Sequence, residues 1–288
     1  MPILRSAQAF VESIERTSQL DSAGKAVGKT VRGAVPSGGA KDALSGTWLG
    51  HALHPPLTDL VITSFLGTSL LDLVAPKSRE ASERLLQVGI LAALPTALTG
   101  ANDWADSEVA DTRVRRVGLV HATVNVSALA LAIGSLAARR RGSSGAGRAM
   151  SAAATGALTL GGFLGGHLSY TRGVGPNQTA FDAGPEDWTA VASAADVREG
   201  EPIAAVADDT PVLLIRDAQG MHALHARCSH RGCSLSEGDL EGHVITCSCH
   251  GSQFDIRDGS VVRGPATAEQ PILDVREEGG RLMVRKPR

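Results

Sequence analysis

The four cysteines of the chain lie in one short stretch, Cys228 to Phe254, reading CSHRGCSLSEGDLEGHVITCSCHGSQF. Cys228 and His230 form a Cys-x-His pair, Cys247 and His250 form a Cys-x-x-His pair, and residues 231–246 separate them. Two soft thiolates and two imidazoles, presented by two short loops, suit either tetrahedral zinc or a [2Fe–2S] cluster with histidine on one iron. Finger and ribbon zinc sites usually open with Cys-x2-Cys or Cys-x4-Cys, so the first pair disfavours zinc.

The full pattern is Cys228-Ser-His230-Arg-Gly232-Cys233 and Cys247-Ser-Cys249-His250-Gly251-Ser252. It resembles the Rieske [2Fe–2S] family, whose loops read C-x-H-x-G-C and C-x-C-H-G-S. The resemblance implies that Cys228 and Cys247 hold the inner iron, and that His230 and His250 hold the outer iron and reach the protein surface. It also implies a disulfide between Cys233 and Cys249, as in the high-potential members; the alternative is two buried free thiols. Such a bridge needs Cα atoms within roughly 7 Å.

These loops must be carried by a scaffold, and composition divides the 288 residues into unlike parts. A formal charge of −2 gives no reason to expect a nucleic-acid partner. Residues 1–45 read as a polar to amphipathic segment with a short surface helix over Ala7, Phe10, Val11 and Ile14, then a linker from Val35 to Gly46. Glu12, Glu15 and Asp21 interrupt the apolar run that a secretory signal needs. Residues 46–170 hold four apolar stretches, Pro55–Val74, Leu85–Ala101, Val117–Ala138 and Ala149–Leu168, each close to the ~20 residues that cross a bilayer. Pro95 falls within the second and is tolerated where neighbours satisfy the freed carbonyl. The fold expected is a four-span α-helical membrane bundle followed by an all-β domain.

Counting spans places His51, His54, His121 and His167 on one membrane face, together with Asp59, Asn102 and Asp103. Imidazoles from facing helices at matching depth suit axial ligation of a haem b. The same residues also suit a metal or quinone site, or hydrogen bonds that tie helix ends together. Gly161-x-x-x-Gly165 and Gly162-x-x-x-Gly166 place small residues where a neighbouring helix can approach closely. The opening Gly50-His51-Ala-Leu-His54-Pro55 resembles the start of an uncharacterised four-helix bacterial membrane family, DUF2231. That likeness implies a membrane fold and no established chemistry. Basic residues are more numerous in the loops opposite the histidine face, which places both termini and the cluster domain on the extracytoplasmic side.

Residues 171–185, rich in Gly, Pro, Asn and Asp, read as a tether that swings a domain over ~20 Å, with a fixed head as the alternative. Residues 186–288 read as short β-strands separated by turn signals, with His222, His225 and His243 as strand surface residues. The family resemblance extends to Gly264-Pro265-Ala266, which looks like the loop covering the cluster. It gives Ser252 as one hydroxyl donor to the cluster, and places Phe254 where high-potential members have a tyrosine hydroxyl. Fewer donors imply an intermediate potential.

The function expected is a membrane-bound one-electron carrier working with a quinol, a cytochrome or a small redox protein. A redox-sensing or structural iron–sulfur protein is the second reading. A Rieske oxygenase also needs a mononuclear iron on two histidines and a carboxylate, and no histidine follows His250.

Overall fold

The structure is a computed structural model that describes residues 2–182 and 184–288. It divides into two units. The first comprises the chain up to Ala34 and Leu53–Val174; the second comprises Val35–Ala52 and Gly175–Arg288.

The first unit is helical: α1 (Pro2–Arg16), α2 (Asp21–Ala34), α4 (His54–Val74), α5 (Arg79–Ser107), α6 (Thr112–Arg140) and α7 (Ser144–Gly166), which ends in a π-turn at His167–Thr171. The segment α3 (Gly39–Ser45) belongs to the second unit. Short connections make α4–α5 and α6–α7 antiparallel hairpins, and α4 also meets α7 while α5 meets α6. Among the described residues three helices, α4, α5 and α6, are long and apolar enough to cross a membrane. The fourth apolar stretch forms α7, whose 23 residues mix Gly, Ser and Thr into the apolar run. Bulky side chains point outward from the bundle, Leu73 at 80 % exposure and Leu91 at 74 %. Such a surface is costly in water and suited to lipid.

Inside the bundle the packing is close. Gly89 lies against Phe65, and Val61, Phe65, Leu86, Ala132 and Ala154 share one core. Of the two small-residue pairs in α7, only Gly161 and Gly165 face another helix, meeting Asn125 and His121 of α6. At one end Arg139 of α6 is buried against Asp72 of α4, with Nη1 donating at 3.0 Å and Ser82 Oγ donating to the same carboxylate at 2.7 Å. At the other end Arg115 Nε donates to buried Glu108 at 2.5 Å.

The sequence reading of residues 1–45 as one surface helix and a linker is corrected. Val11 and Ile14 of α1 enter a core with Val114, Val117, Leu164 and Leu168. A further helix, α2, approaches the bundle through Gly24 and Gly28, which lie against Arg115 and Glu108. The expected linker from Val35 to Gly46 contains α3 and folds with the second unit.

That second unit is all-β. One sheet runs β1 (Thr189–Ser193), β10 (Arg281–Arg285), β9 (Ile272–Glu278), β4 (Gly220–His225), β3 (Thr210–Asp217), β2 (Ile203–Ala207). The other runs β5 (Asp239–Glu241), β6 (Val244–Thr246), β7 (Gln253–Asp255), β8 (Val261–Arg263), and every ladder in both sheets is antiparallel. Strand β3 is buried on both faces. Val212 and Leu214 pack into one core with Leu282 and Val284, while Leu213 and Ile215 pack into another with Ile245, Phe254 and Ile256. Alternation along a strand sends successive side chains to opposite faces, so a continuous apolar run can serve two cores.

Part of the expected tether is also head. Gln178 N donates to Ser229 O at 3.0 Å, Thr179 is buried, and Asp182 pairs with Arg227. The chain passes between the two units three times, at Ala34–Val35, Ala52–Leu53 and Val174–Gly175.

The buried pair in the bundle gives a stability test. Asp72→Ala leaves Arg139 buried without its carboxylate, a loss of about 3–5 kcal/mol. Thermal unfolding in detergent should show a clearly lowered midpoint, and an unchanged midpoint would contradict the burial of this pair.

Candidate metal centre

Two loops leave the shared core at the same end of the β unit. The first, Cys228–Cys233, follows β4; the second, Cys247–Ser252, joins β6 to β7. Their backbones repeat one design. Cys228 N donates to Cys233 O and Gly232 N to Cys228 O, while Cys247 N donates to Ser252 O and Gly251 N to Cys247 O, all at 2.8–2.9 Å. Both Gly232 and Gly251 have φ of +77°, a conformation that glycine adopts without a Cβ penalty. That requirement explains the glycine in each motif.

The Cys233–Cys249 disulfide joins the loops, with Cα atoms 6.5 Å apart. Cys228 and Cys247 remain free thiols, both buried in the core with Phe254 and Ile245. Their side chains lie close enough for a thiol–thiolate interaction. It pulls Cys247 towards the thiolate, aided by the backbone N–H groups of Cys249 and His250, and pushes Cys228 up, as does burial. The backbone N–H groups of His230 and Arg231 point at the Cys228 sulfur. The His230 and His250 rings lie edge to face with centroids 5.1 Å apart. Burial holds the His230 imidazole well below its ordinary pKa, hence neutral as a ligand must be.

The donors therefore form two pairs, sulfur with sulfur and imidazole with imidazole. Among the described residues no three or more His, Cys, Asp or Glu side chains form a set that could hold one metal ion. A single zinc wants four donors around one point, whereas a two-iron cluster takes two protein ligands on each iron. The arrangement fits the cluster. Both imidazoles are partly exposed.

A family comparison matches residues 187–276 to the Rieske [2Fe-2S] domain. The chain belongs to the Rieske [2Fe-2S] domain family. Residues 50–178 match the predicted membrane protein family DUF2231. Similar curated proteins include the anthranilate 1,2-dioxygenase ferredoxin subunit of Burkholderia cepacia, 31% identical over 34% of this chain and 91% of that protein. Another is the 3-phenylpropionate/cinnamic acid dioxygenase ferredoxin subunit of Escherichia coli K12, 35% identical over 32% of this chain and 88% of that protein. Among solved structures, the ferredoxin of carbazole 1,9a-dioxygenase from Nocardioides aromaticivorans IC177 is 26% identical, covering 35% of this chain and 100% of that one with a TM-score of 0.34. The Rieske domain is thus an electron-transfer domain, attached here to helices suited to a membrane.

Other predicted residues take definite places. Ser252 is fully buried, and its Oγ accepts the Ala266 N–H at 3.0 Å, which leaves the hydroxyl proton to donate elsewhere. Phe254 is fully buried and offers no hydroxyl. Gly264 and Pro265 are buried, in a loop whose Ala266 makes the bond to Ser252. His225 is buried rather than a surface residue, and His222 and His243 lie beside the Asp217 carboxylate.

In the helical unit His54 Nδ1 lies 3.0 Å from Thr96 O, and His121 Nδ1 lies 2.8 Å from Gly161 O. Gly100 lies against the His54 ring and Gly165 against that of His121. His167 Nε2 instead meets Glu15 Oε1 at 2.9 Å, a carboxylate also held by Arg172. His51 is exposed and belongs to the second unit.

One brace had no sequence signal. Gln270 is buried, its Oε1 accepts Ser229 N–H at 3.0 Å, and its Nε2 donates to His225 O at 2.8 Å and Arg227 O at 2.7 Å. It fixes the base of the first loop from outside either motif.

With its cysteines 16 positions apart in sequence, the disulfide restrains a loop worth about 3 kcal/mol to the folded state. Cys233→Ser should lower the unfolding midpoint and accelerate loss of cluster absorbance on warming. Equal bleaching rates in the variant and the native protein would contradict a role in holding the loops.

Proposed function

We propose that the protein is a membrane-bound one-electron carrier, in which a [2Fe–2S] cluster on Cys228, Cys247, His230 and His250 exchanges electrons with a quinol, a cytochrome or a small redox protein. The pairing of sulfurs with sulfurs and imidazoles with imidazoles carries this reading. When bound, the cluster supplies reversible one-electron chemistry. The chain's part is to bury the thiolates, aim backbone N–H groups at their sulfurs, and keep the His230 imidazole neutral by burying it. That the curated relatives are ferredoxin subunits of dioxygenases supports a carrier role.

The bundle is proposed as a second redox station. A histidine that gives its Nδ1 proton to a backbone carbonyl has a fixed tautomer and presents Nε2 as a lone pair, the usual arrangement for a metal-ligating imidazole. His54 and His121 both have Nδ1 against a carbonyl, so a haem b on these two is the form we put forward. The hydrogen bond between His167 and Glu15 supports a structural role for that residue. We place the β unit on the extracytoplasmic side, in keeping with the basic loops at Lys77–Arg84 and Arg139–Arg148 and with an environment that preserves a disulfide.

Spectroelectrochemical titration of the protein purified from membranes tests both parts. The native protein should show Rieske absorption and a Soret band. His121→Leu should lose the Soret band and keep the cluster, whereas native protein without a Soret band after haem-replete expression would overturn the haem assignment. Phe254→Tyr adds a donor near the cluster sulfurs and should raise its potential. No upward change would overturn the account of the intermediate potential.

A further inference from the structure

The chain between α2 and α4 forms part of the cluster-bearing unit, although residues 35–49 lie outside both family matches. Its contacts fall on the second ligand loop and on the Gly264–Ala266 loop. Ser37 Oγ donates to His250 O at 3.2 Å, and Gly251 lies close enough that an added Cβ would sit 3.0 Å from Ser37 Oγ. Thr47 Oγ1 donates to Ala266 O at 3.3 Å, and Gly264 is backed by Thr47 and Asp42. Substituents at Gly251 or Gly264 would displace this segment, so the family's glycines here double as its seat.

Helix α3, lying between those contacts, carries Lys41, which is only 4 % exposed. Lys41 and Arg231 both lie within electrostatic reach of the His230 imidazole. Arg263 Nη2 is 3.4 Å from Gly251 O, and Asp42, the acid of α3, lies within electrostatic reach of both Arg263 and Lys41, one carboxylate against three cations. Cations thus predominate at the imidazole end of the centre. Two thiolates and two neutral imidazoles make the oxidised cluster neutral, and uptake of one electron makes it singly negative. A nearby cation favours the reduced form, and a buried one does so more strongly than an exposed one because water screens it less.

We propose that Val35–Ala52 serves as a third cluster-binding loop supplied from outside the Rieske fold, and that Lys41 on it is a positioning residue that raises the reduction potential. The inference deepens the electron-carrier reading and rests on it. It accounts for a lysine buried on a seven-residue helix that a linker would not need.

Redox titration of the full-length protein in membranes, followed by EPR, tests the proposal. Lys41→Met should lower the midpoint potential, shifting the ratio of reduced to oxidised cluster at fixed poise by about tenfold, ~59 mV for one electron. Iron content and g-values should not change, and Lys41→Arg should restore most of the difference. Ser37 is exposed, so a charged side chain there reaches solvent, and both variants lose the bond to His250 O alike. Ser37→Asp should lower the potential and Ser37→Lys raise it, by less than Lys41→Met and with the difference shrinking in high salt. An intact cluster with native potential in Lys41→Met would overturn the proposal. Should Lys41→Met not retain its cluster, equal potentials in Ser37→Asp and Ser37→Lys would overturn it. A native protein without a Rieske EPR signal would instead overturn the carrier reading itself.

Discussion

Two irons bridged by sulfide need two protein donors each, in a dry pocket that keeps its shape when charge is added. The structure of the β unit follows from that demand. Cys228 and Cys247 sit in the core between the sheets, and the imidazoles sit beyond them at the tip. Each loop has to reverse direction within a few residues so that ligand and core anchor face the same side. A glycine at +77° in each loop permits this, and the Cys233–Cys249 bond locks the two reversals together. Backbone N–H groups freed by the turns then point at sulfur, where they favour added negative charge.

The helical unit meets a different demand. In lipid, apolar side chains gain nothing from meeting one another rather than the acyl chains, so close approach and internal hydrogen bonds hold helices together. Gly161 and Gly165 let α6 approach α7, and the space they leave is taken by Asn125 and His121. The same contact that packs the helices therefore orients an imidazole. Asp72 and Arg139 tie α4 to α6 at one end, while Glu108 holds Arg115 and Arg32 at the other.

Much of this was legible in the residues. The ligand motifs were readable because their spacing encodes the loop reversals, and the apolar stretches because a bilayer demands length. Val35–Ala52 was not. Ser37, Gly38, Gly39 and Gly46 have linker composition, and α3 is seven residues long, too short to announce itself by periodicity; its seat on the ligand loops is tertiary. Residues 178–182 looked like tether for the same reason, although Asn177 Oδ1 accepts the Thr179 N–H at 2.9 Å in a local turn that docks on the first loop. In strand β9 the charged Asp274, Arg276, Glu277 and Glu278 obscure the alternation that marks a strand. Gln270 braces three backbone groups and could not have been told from any other polar residue.

The central claim is that four side chains bind two irons in unlike pairs. Mössbauer spectroscopy of the one-electron-reduced, 57Fe-enriched protein in its membrane tests it most directly. The account predicts two inequivalent sites in equal amounts, a ferric iron with cysteine ligands and a ferrous iron with histidine ligands. Two equivalent iron sites, or bound zinc in place of iron, would contradict it.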